Sequence, residues 1–310
     1  MQIGIDFGGT KIEAAVLADD GGFLARRREP NPGAYDAAIL AVERLIAAVE
    51  EETGASGPIG VAAPGSISPT TGVMRNANST WLNGRRFRED LEARLARPVR
   101  MANDANCLAL SEAVDGAGAG QRVVMAVVIG TGCGGGVALD GRLIEGANSV
   151  AGEWGHTSLP WPAASEAPGP ACWCGQRGCL ETWVSGSGLQ RDHLETTGQA
   201  LTAEAIVARA RAGEAAARAA LDRYADRLGR GIAMIVNLID PDVVVLGGGM
   251  SNVEELYLAL PPIVERNAFT DAWAGVIAPA RWGDSSGVRG AARLWPSMSP
   301  LASPGHQPAE

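Results

Sequence analysis

The chain is 310 residues long, 46% hydrophobic and 20% charged, and its 35 acidic side chains outnumber 26 basic ones for a formal net charge of −9. Such a length holds two medium domains or one large one around a sizeable core, and the acidic balance argues against non-specific nucleic-acid or anionic-membrane binding, which want a basic face. No apolar run reaches a membrane span, and the start Met1-Gln2-Ile3-Gly4-Ile5-Asp6 lacks the features of a signal peptide, so a cytoplasmic protein with no membrane partner is expected.

Gln2 to Asp6 and Glu13 to Leu17 read as two strands joined by the turn Phe7-Gly8-Gly9-Thr10-Lys11. Ala38, Ile39, Val42, Leu45, Ile46 and Val49 recur at steps of three and four, which predicts a helix with one apolar face. Ile59 to Ala63 is a buried strand stopped by Pro64-Gly65. Leu91 and Leu95 begin an amphipathic helix, Val99 to Ala102 form a strand ending at Asn103-Asp104, and a helix over about 105–113 follows. Gly116-Ala117-Gly118-Ala119-Gly120 marks a boundary, after which a second cycle opens: strand Val123 to Ile129, glycine turn Gly130 to Gly136, strand Val137 to Leu139. This order repeats that of the opening and implies two similar halves. An irregular Pro- and Cys-rich stretch (160–179), helical sequence over about 203–238 and the strand Val243 to Leu246, ended by Gly247-Gly248-Gly249, complete the pattern. The segment 297–310 has three prolines and no periodicity, and disorder is expected there.

One Gly-Gly turn is most simply a tight hairpin. Three glycine clusters, each after a buried strand (8–9, 130–136, 247–249), call for a further reason. Glycines let backbone N–H groups approach an anion, Thr10 and Lys11 would add a hydroxyl and a positive charge, and Asp6 would hold Mg²⁺ through water. A phosphate and nucleotide cleft between two halves accounts for all three.

The five cysteines are odd in number and badly spaced for a disulfide framework. His156, Cys172, Cys174 and Cys179 instead supply three thiolates and an imidazole, the closed tetrahedral set of a structural Zn²⁺, with Gly175 and Gly178 allowing a tight loop. Cys107 and Cys133 stand apart as small core or loop residues. Asp104, where a strand gives way to a helix, suits either an N-cap or a general base kept ionised by the helix terminus. Glu153 and Glu181 flank the cysteine cluster. Tethered to a metal-stiffened loop, they become acceptors for sugar hydroxyls.

In this order, Gly4 to Lys11, Ala102-Asn103-Asp104-Ala105-Asn106-Cys107, Gly152-Glu153-Trp154-Gly155-His156, the segment Cys172 to Glu181 and Leu246 to Gly249 resemble the ROK family of bacterial sugar kinases, within the actin/hexokinase/Hsp70 superfamily. The resemblance runs from about Gln2 to Pro296. It implies an α/β fold of two RNase H-like domains with a cleft between them. The first, 1–116, would bind sugar and phosphate and be rejoined by the last helix, about 287–296. The second, 117–286, would hold nucleotide and zinc.

By the same resemblance Asp104 is the general base for the sugar's primary hydroxyl, and Gly65, Asn78, Asn103, Glu153, His156 and Glu181 line the sugar, with His156 shared between Zn²⁺ and substrate. Asp6, Gly8, Gly9, Thr10 and Lys11, with Gly130, Thr131, Gly132, Cys133, Gly134, Gly135 and Gly136, would cradle the phosphates of ATP with Mg²⁺. Gly247, Gly248 and Gly249 would lie beside the adenosine. A homodimer is also implied.

Within the family, Pro64 to Pro69, Asn76 to Gly84 and Gly283 to Ala292 resemble the bacterial fructokinases that also accept mannose. The expected activity is therefore transfer of phosphate from ATP to the 6-hydroxyl of D-fructose, with Trp81 narrowing one side of the cleft against an N-acetyl group. An N-acetylglucosamine kinase or glucokinase is the alternative. The family's sugar-responsive repressors carry a DNA-binding domain ahead of the first glycine turn, which here begins near residue 6; no nucleic-acid partner is expected.

Overall fold

The opening hairpin forms because Ile3, Ile5 and Phe7 point to one side and meet Ile12, Ala14 and Val16 on the returning strand. In the computed structural model, which describes residues 1–295, β1 (Gln2–Phe7) and β2 (Lys11–Leu17) pair antiparallel, with Asp6 opposite Glu13. β3 (Phe23–Pro30) extends this meander and places Arg28 opposite Glu13. α1 (Tyr35–Thr53) buries the expected apolar face and ends at Gly54 in the left-handed conformation. β4 (Ile59–Ala63) is wholly buried and runs parallel to β1. A small hairpin, β5 (Ser66–Ile67) and β6 (Met74–Arg75), leads to α2 (Phe87–Leu95), and β7 (Val99–Asn103) then pairs parallel with β4. α3 (Asp104–Asp115) follows without a linker.

The second cycle repeats the first. β8 (Val123–Ile129), β9 (Cys133–Leu139) and β10 (Arg142–Ile144) form an antiparallel meander. The helices α4 (Glu181–Val184), α5 (Gly186–Thr197), α6 (Ala203–Arg211) and α7 (Ala215–Ile239) come next. β11 (Val243–Gly247) lies parallel to β8, α8 (Glu255–Asn267) follows, and β12 (Val276–Pro279) runs parallel to β11. The strand orders β3-β2-β1-β4-β7 and β10-β9-β8-β11-β12 match in sequence and direction, three antiparallel strands and then two parallel ones. This is the expected pair of RNase H-like domains. Two readings change. The helical stretch over 203–238 is two helices broken at Ala212–Glu214, and the turn read over Gly130 to Gly136 is confined to 130–132, because Gly134, Gly135 and Gly136 are paired strand positions of β9.

α9 (Ser286–Ala292) returns to the first sheet in backbone contact. A methyl group on Gly60 of β4 would stand 1.7 Å from the Ala291 carbonyl oxygen, and one on Gly4 of β1 would stand 2.3 Å from that of Val288. On its other side Gly290 meets α3, where a methyl would be 1.8 Å from the Cys107 oxygen. The buried Glu112 of α3 fixes the approach to α9: it accepts from the N–H groups of Ala117 (2.8 Å), Arg281 (3.0 Å) and Trp282 (3.2 Å) and from the Ser286 hydroxyl (3.2 Å). α3 also packs on the second sheet, with Ala105 and Asn106 against Gly136. The last helix, expected to about 296, ends at Ala292, and the tail expected at 297–310 lies outside the described residues. No described helix is long and apolar enough to cross a membrane.

Candidate active site

Strand β7 delivers Asn103 and Asp104 to the cleft. Asn103 is the N-cap of α3: its side-chain oxygen accepts the Ala105 N–H at 2.8 Å, and its amide donates to the Gly65 carbonyl at 3.3 Å. The capping role open to Asp104 thus falls to its neighbour. Asp104 also accepts the Ala105 N–H at 2.8 Å. Asp104 is exposed, although much protein stands around its carboxyl. Burial pushes its carboxyl above the usual range, against the pull of the Ala105 and Asp104 N–H groups.

Asp6, at the end of β1, is pushed up to about 7, first by burial and then by the charges of Asp104 and Glu13, with Lys11 and Arg28 opposing. A carboxylate so short of positive charge suits a divalent cation, so Asp6 fits a Mg²⁺ site. The start of α9 stands beside it, since a methyl on Gly287 would be 2.6 Å from an Asp6 oxygen. The turn between β1 and β2 is fixed by Gly8 N–H to the Lys11 oxygen (3.0 Å) and by Asn31, whose side chain donates to the Gly8 oxygen (2.7 Å). Lys11 rests 3.7 Å from Asp284.

The second and third glycine clusters meet. Gly248 has φ +82°, and a methyl there would lie 2.7 Å from the Ile129 carbonyl and 3.0 Å from the Gly130 nitrogen. Beside them opens a cavity of about 570 Å³, lined among others by Gly130, Thr131, Ser187, Glu204, Arg211 and Gly249. That size is in the range of small-molecule sites. Gly186 N–H bonds the Gly130 oxygen at 2.7 Å and the Ser187 hydroxyl bonds that of Thr131 at 2.9 Å. Ser187, Glu204 and Arg211 carry no motif in the sequence; they reach the cavity from the faces of α5 and α6. Gly135 and Gly136 serve packing instead: methyls there would be 2.7 Å from the Gly152 and Ala105 oxygens respectively.

His156, Cys172, Cys174 and Cys179 come together, their ligand atoms all within 4.8 Å of one another. His156 Nδ1 is 3.7 Å from Cys172 Sγ, and the sulfurs of Cys174 and Cys179 are 3.6 Å apart. A tetrahedron with Zn–S of about 2.3 Å places its sulfurs about 3.8 Å apart, so the donor set fits Zn²⁺. The loop is anchored on α7, where Arg230 donates to the carbonyls of Pro160 and Trp161 at 2.9 Å each and, with Arg227, binds Glu166.

Glu153 precedes the turn Trp154–His156. Burial raises its pKa, His156 lowers it, and Asp104 and Glu181 raise it, so these four side chains share one neighbourhood. Glu181 uses both oxygens: one accepts the Cys133 N–H at 3.1 Å and the other the Trp173 indole N–H at 2.6 Å. Gly65, with φ +75°, leaves no room for a side chain against the Arg75 oxygen. Asn78 is exposed in a loop closed by Asn83, which bonds the Ala77 N–H (2.9 Å) and oxygen (3.0 Å). Trp81, expected to narrow the cleft, is half-buried and packs edge-on against Phe7 at 5.9 Å, at the edge of the first core.

A model of the ROK family matches residues 2–298. The chain is 38% identical over 301 residues to an N-acetyl-D-glucosamine kinase of Pasteurella multocida (strain Pm70), covering 95% of this chain and 99% of the relative. It is 39% identical over 297 residues to an N-acetylgalactosamine kinase of Shewanella sp. (strain ANA-3), at 95% and 96% coverage. The crystal structure of a ROK hexokinase from Thermus thermophilus superimposes with a TM-score of 0.85 at 34% identity, over 94% of this chain and 96% of that one.

Proposed function

The chain belongs to the ROK family and is an ATP-dependent sugar kinase, and we propose that it phosphorylates the primary 6-hydroxyl of a hexose with Asp104 as general base. The observation that carries this reading is the position of Asp104: exposed, relieved of capping by Asn103, and in one electrostatic neighbourhood with Asp6 and Glu153.

In the proposed reaction the hydroxyl oxygen forms a bond to the γ-phosphorus while the bond from that phosphorus to the β,γ-bridging oxygen breaks, and ADP leaves. Asp104 orients the hydroxyl and takes its proton late, a task eased by a carboxyl that burial makes reluctant to stay charged. Bound Mg²⁺, held near Asp6, would offset phosphate charge. Gly8 to Lys11 and Gly130 to Gly132 hold the phosphates, and the cavity beside Gly249 holds the nucleoside. Glu153, His156, Glu181 and Asn103 hold the remaining sugar hydroxyls, and Zn²⁺ on His156 Nδ1 would fix the ring so that Nε2 faces the substrate. Closure of the cleft excludes water that would otherwise take the phosphate.

N-acetyl-D-glucosamine is the first acceptor to test, because the relatives' names favour it over the fructose expected from the loop segments. Relatives at 38% and 39% identity are named for two different hexosamines, so the names speak more strongly for the chemistry than for the sugar. D-fructose is retained as the second reading on the resemblance of Pro64 to Pro69 and Asn76 to Gly84. A coupled ADP-release assay over N-acetyl-D-glucosamine, D-fructose, D-mannose and D-glucose tests the proposal, with kcat/KM as the ranking. Absence of turnover with every hexose would overturn it. The homodimer is likewise proposed from resemblance, and sedimentation tests it.

A further inference from the structure

Trp173 lies between two zinc-ligand cysteines, is 65% exposed, and is held at two points. Its indole N–H donates to Glu181 at 2.6 Å, and its ring meets the His156 ring edge-on, centroids 4.9 Å apart at 86°. A free surface tryptophan would sample several rotamers. This one is tied to two of the residues that the kinase reading places on the sugar, Glu181 and His156, and most of its surface is left bare.

We propose that Trp173 is a positioning and specificity residue of the sugar site. The inference rests on the hexose-kinase reading above. A carboxylate can rotate about its last torsion and offer either oxygen to solvent. Here the Cys133 N–H holds one oxygen and the Trp173 N–H the other, so the plane of Glu181 is fixed before substrate arrives and little ordering remains to be done on binding. The exposed indole face then forms an apolar wall beside the hydroxyl-binding groups, suited to the C–H face of a pyranose or furanose ring. Sugars that differ in the substituent next to that wall are told apart by it.

The test is steady-state kinetics of Trp173→Phe and Trp173→Ala, with zinc content and melting temperature measured on the same preparations. Trp173→Phe keeps a wall and loses the N–H; it should raise the sugar KM about tenfold. Trp173→Ala should raise it further and change the kcat/KM ratio between N-acetyl-D-glucosamine and D-fructose. The KM for ATP, the zinc content and the melting temperature should stay at wild-type values. In a Glu181→Ala background, Trp173→Phe should change the sugar KM less than threefold, because the group it positions is gone. An unchanged sugar KM in an active enzyme would overturn the proposal, and so would KM changes that track zinc loss or earlier melting. Failure of the parent reading looks different: the unaltered chain would phosphorylate no hexose at all.

Discussion

Glu181 accepts the backbone N–H of Cys133 at 3.1 Å, so a carboxylate two residues beyond Cys179 is bonded to the first residue of β9, directly after the glycine turn at 130–132. Glu181 thus joins the cysteine loop to the end of the glycine turn as one connected unit, with Trp173 and Gly132 both close to its carboxylate.

Removing the metal should loosen that unit. About one Zn²⁺ per chain is expected, and Cys174→Ser or strong chelation should lower both melting temperature and sugar affinity. Elemental analysis with thermal melts checks this; a metal-free chain with unaltered stability and sugar KM would speak against a structural zinc.

The seat of α9 leaves no space for a methyl group. Gly60→Ala would drive a carbon to 1.7 Å from the Ala291 carbonyl oxygen, in a place where only backbone could move. A loss of about 3 kcal/mol in urea unfolding is expected. A change within about 0.5 kcal/mol, the range of ordinary surface substitutions, would show that α9 packs elsewhere.

Glu112→Ala removes a fully buried carboxylate and leaves the N–H groups of half-buried Ala117 and Trp282 and of Arg281 without their acceptor. Stranded buried donors cost about 1–3 kcal/mol each, less what water recovers, so a loss of about 3 kcal/mol is expected by denaturant unfolding.

Much of this architecture is legible in the sequence, and the exceptions have physical causes. The first hairpin, α1, β4 and β8 announce themselves through apolar periodicity. β3 does not, because an edge strand carrying Arg26-Arg27-Arg28-Glu29 has no apolar alternation to read. α8 hides behind Pro261 and Pro262, which stand inside the helix. The glycines of 130–136 look alike in sequence, yet only position in the sheet separates the turn at 130–132 from the packing contacts of Gly135 and Gly136. Asp104, Glu153, His156 and the cysteines could be named from their motifs. The hold of Glu112 on the chain 169 residues later could not, nor could the cavity faces of α5 and α6, since neither leaves a local pattern.

Acid should release the cysteine loop from α7. Burial alone would raise the carboxyl of Glu166, but Arg227, the Ala163 N–H and Arg230 outweigh it and hold it below its ordinary value of 4.5. A depressed folded-state value means stability that is complete above the unfolded value and is lost as pH falls through the folded one. Unfolding free energy should thus decline as pH drops below about 4.5, and Glu166→Gln should flatten that decline. Parallel pH profiles for the two proteins would contradict the assignment.

Asp104→Asn tests most directly whether Asp104 takes the proton of a sugar hydroxyl as phosphate leaves ATP. The substitution keeps size and hydrogen bonding, and Asn103 already caps the helix, so the fold has no need of the charge. Measured by coupled ADP release on the best hexose, kcat should fall by about two to four orders of magnitude, with melting temperature and sugar binding by calorimetry nearly unchanged. A variant that folds, binds sugar and retains kcat within a few-fold of the parent would contradict the account.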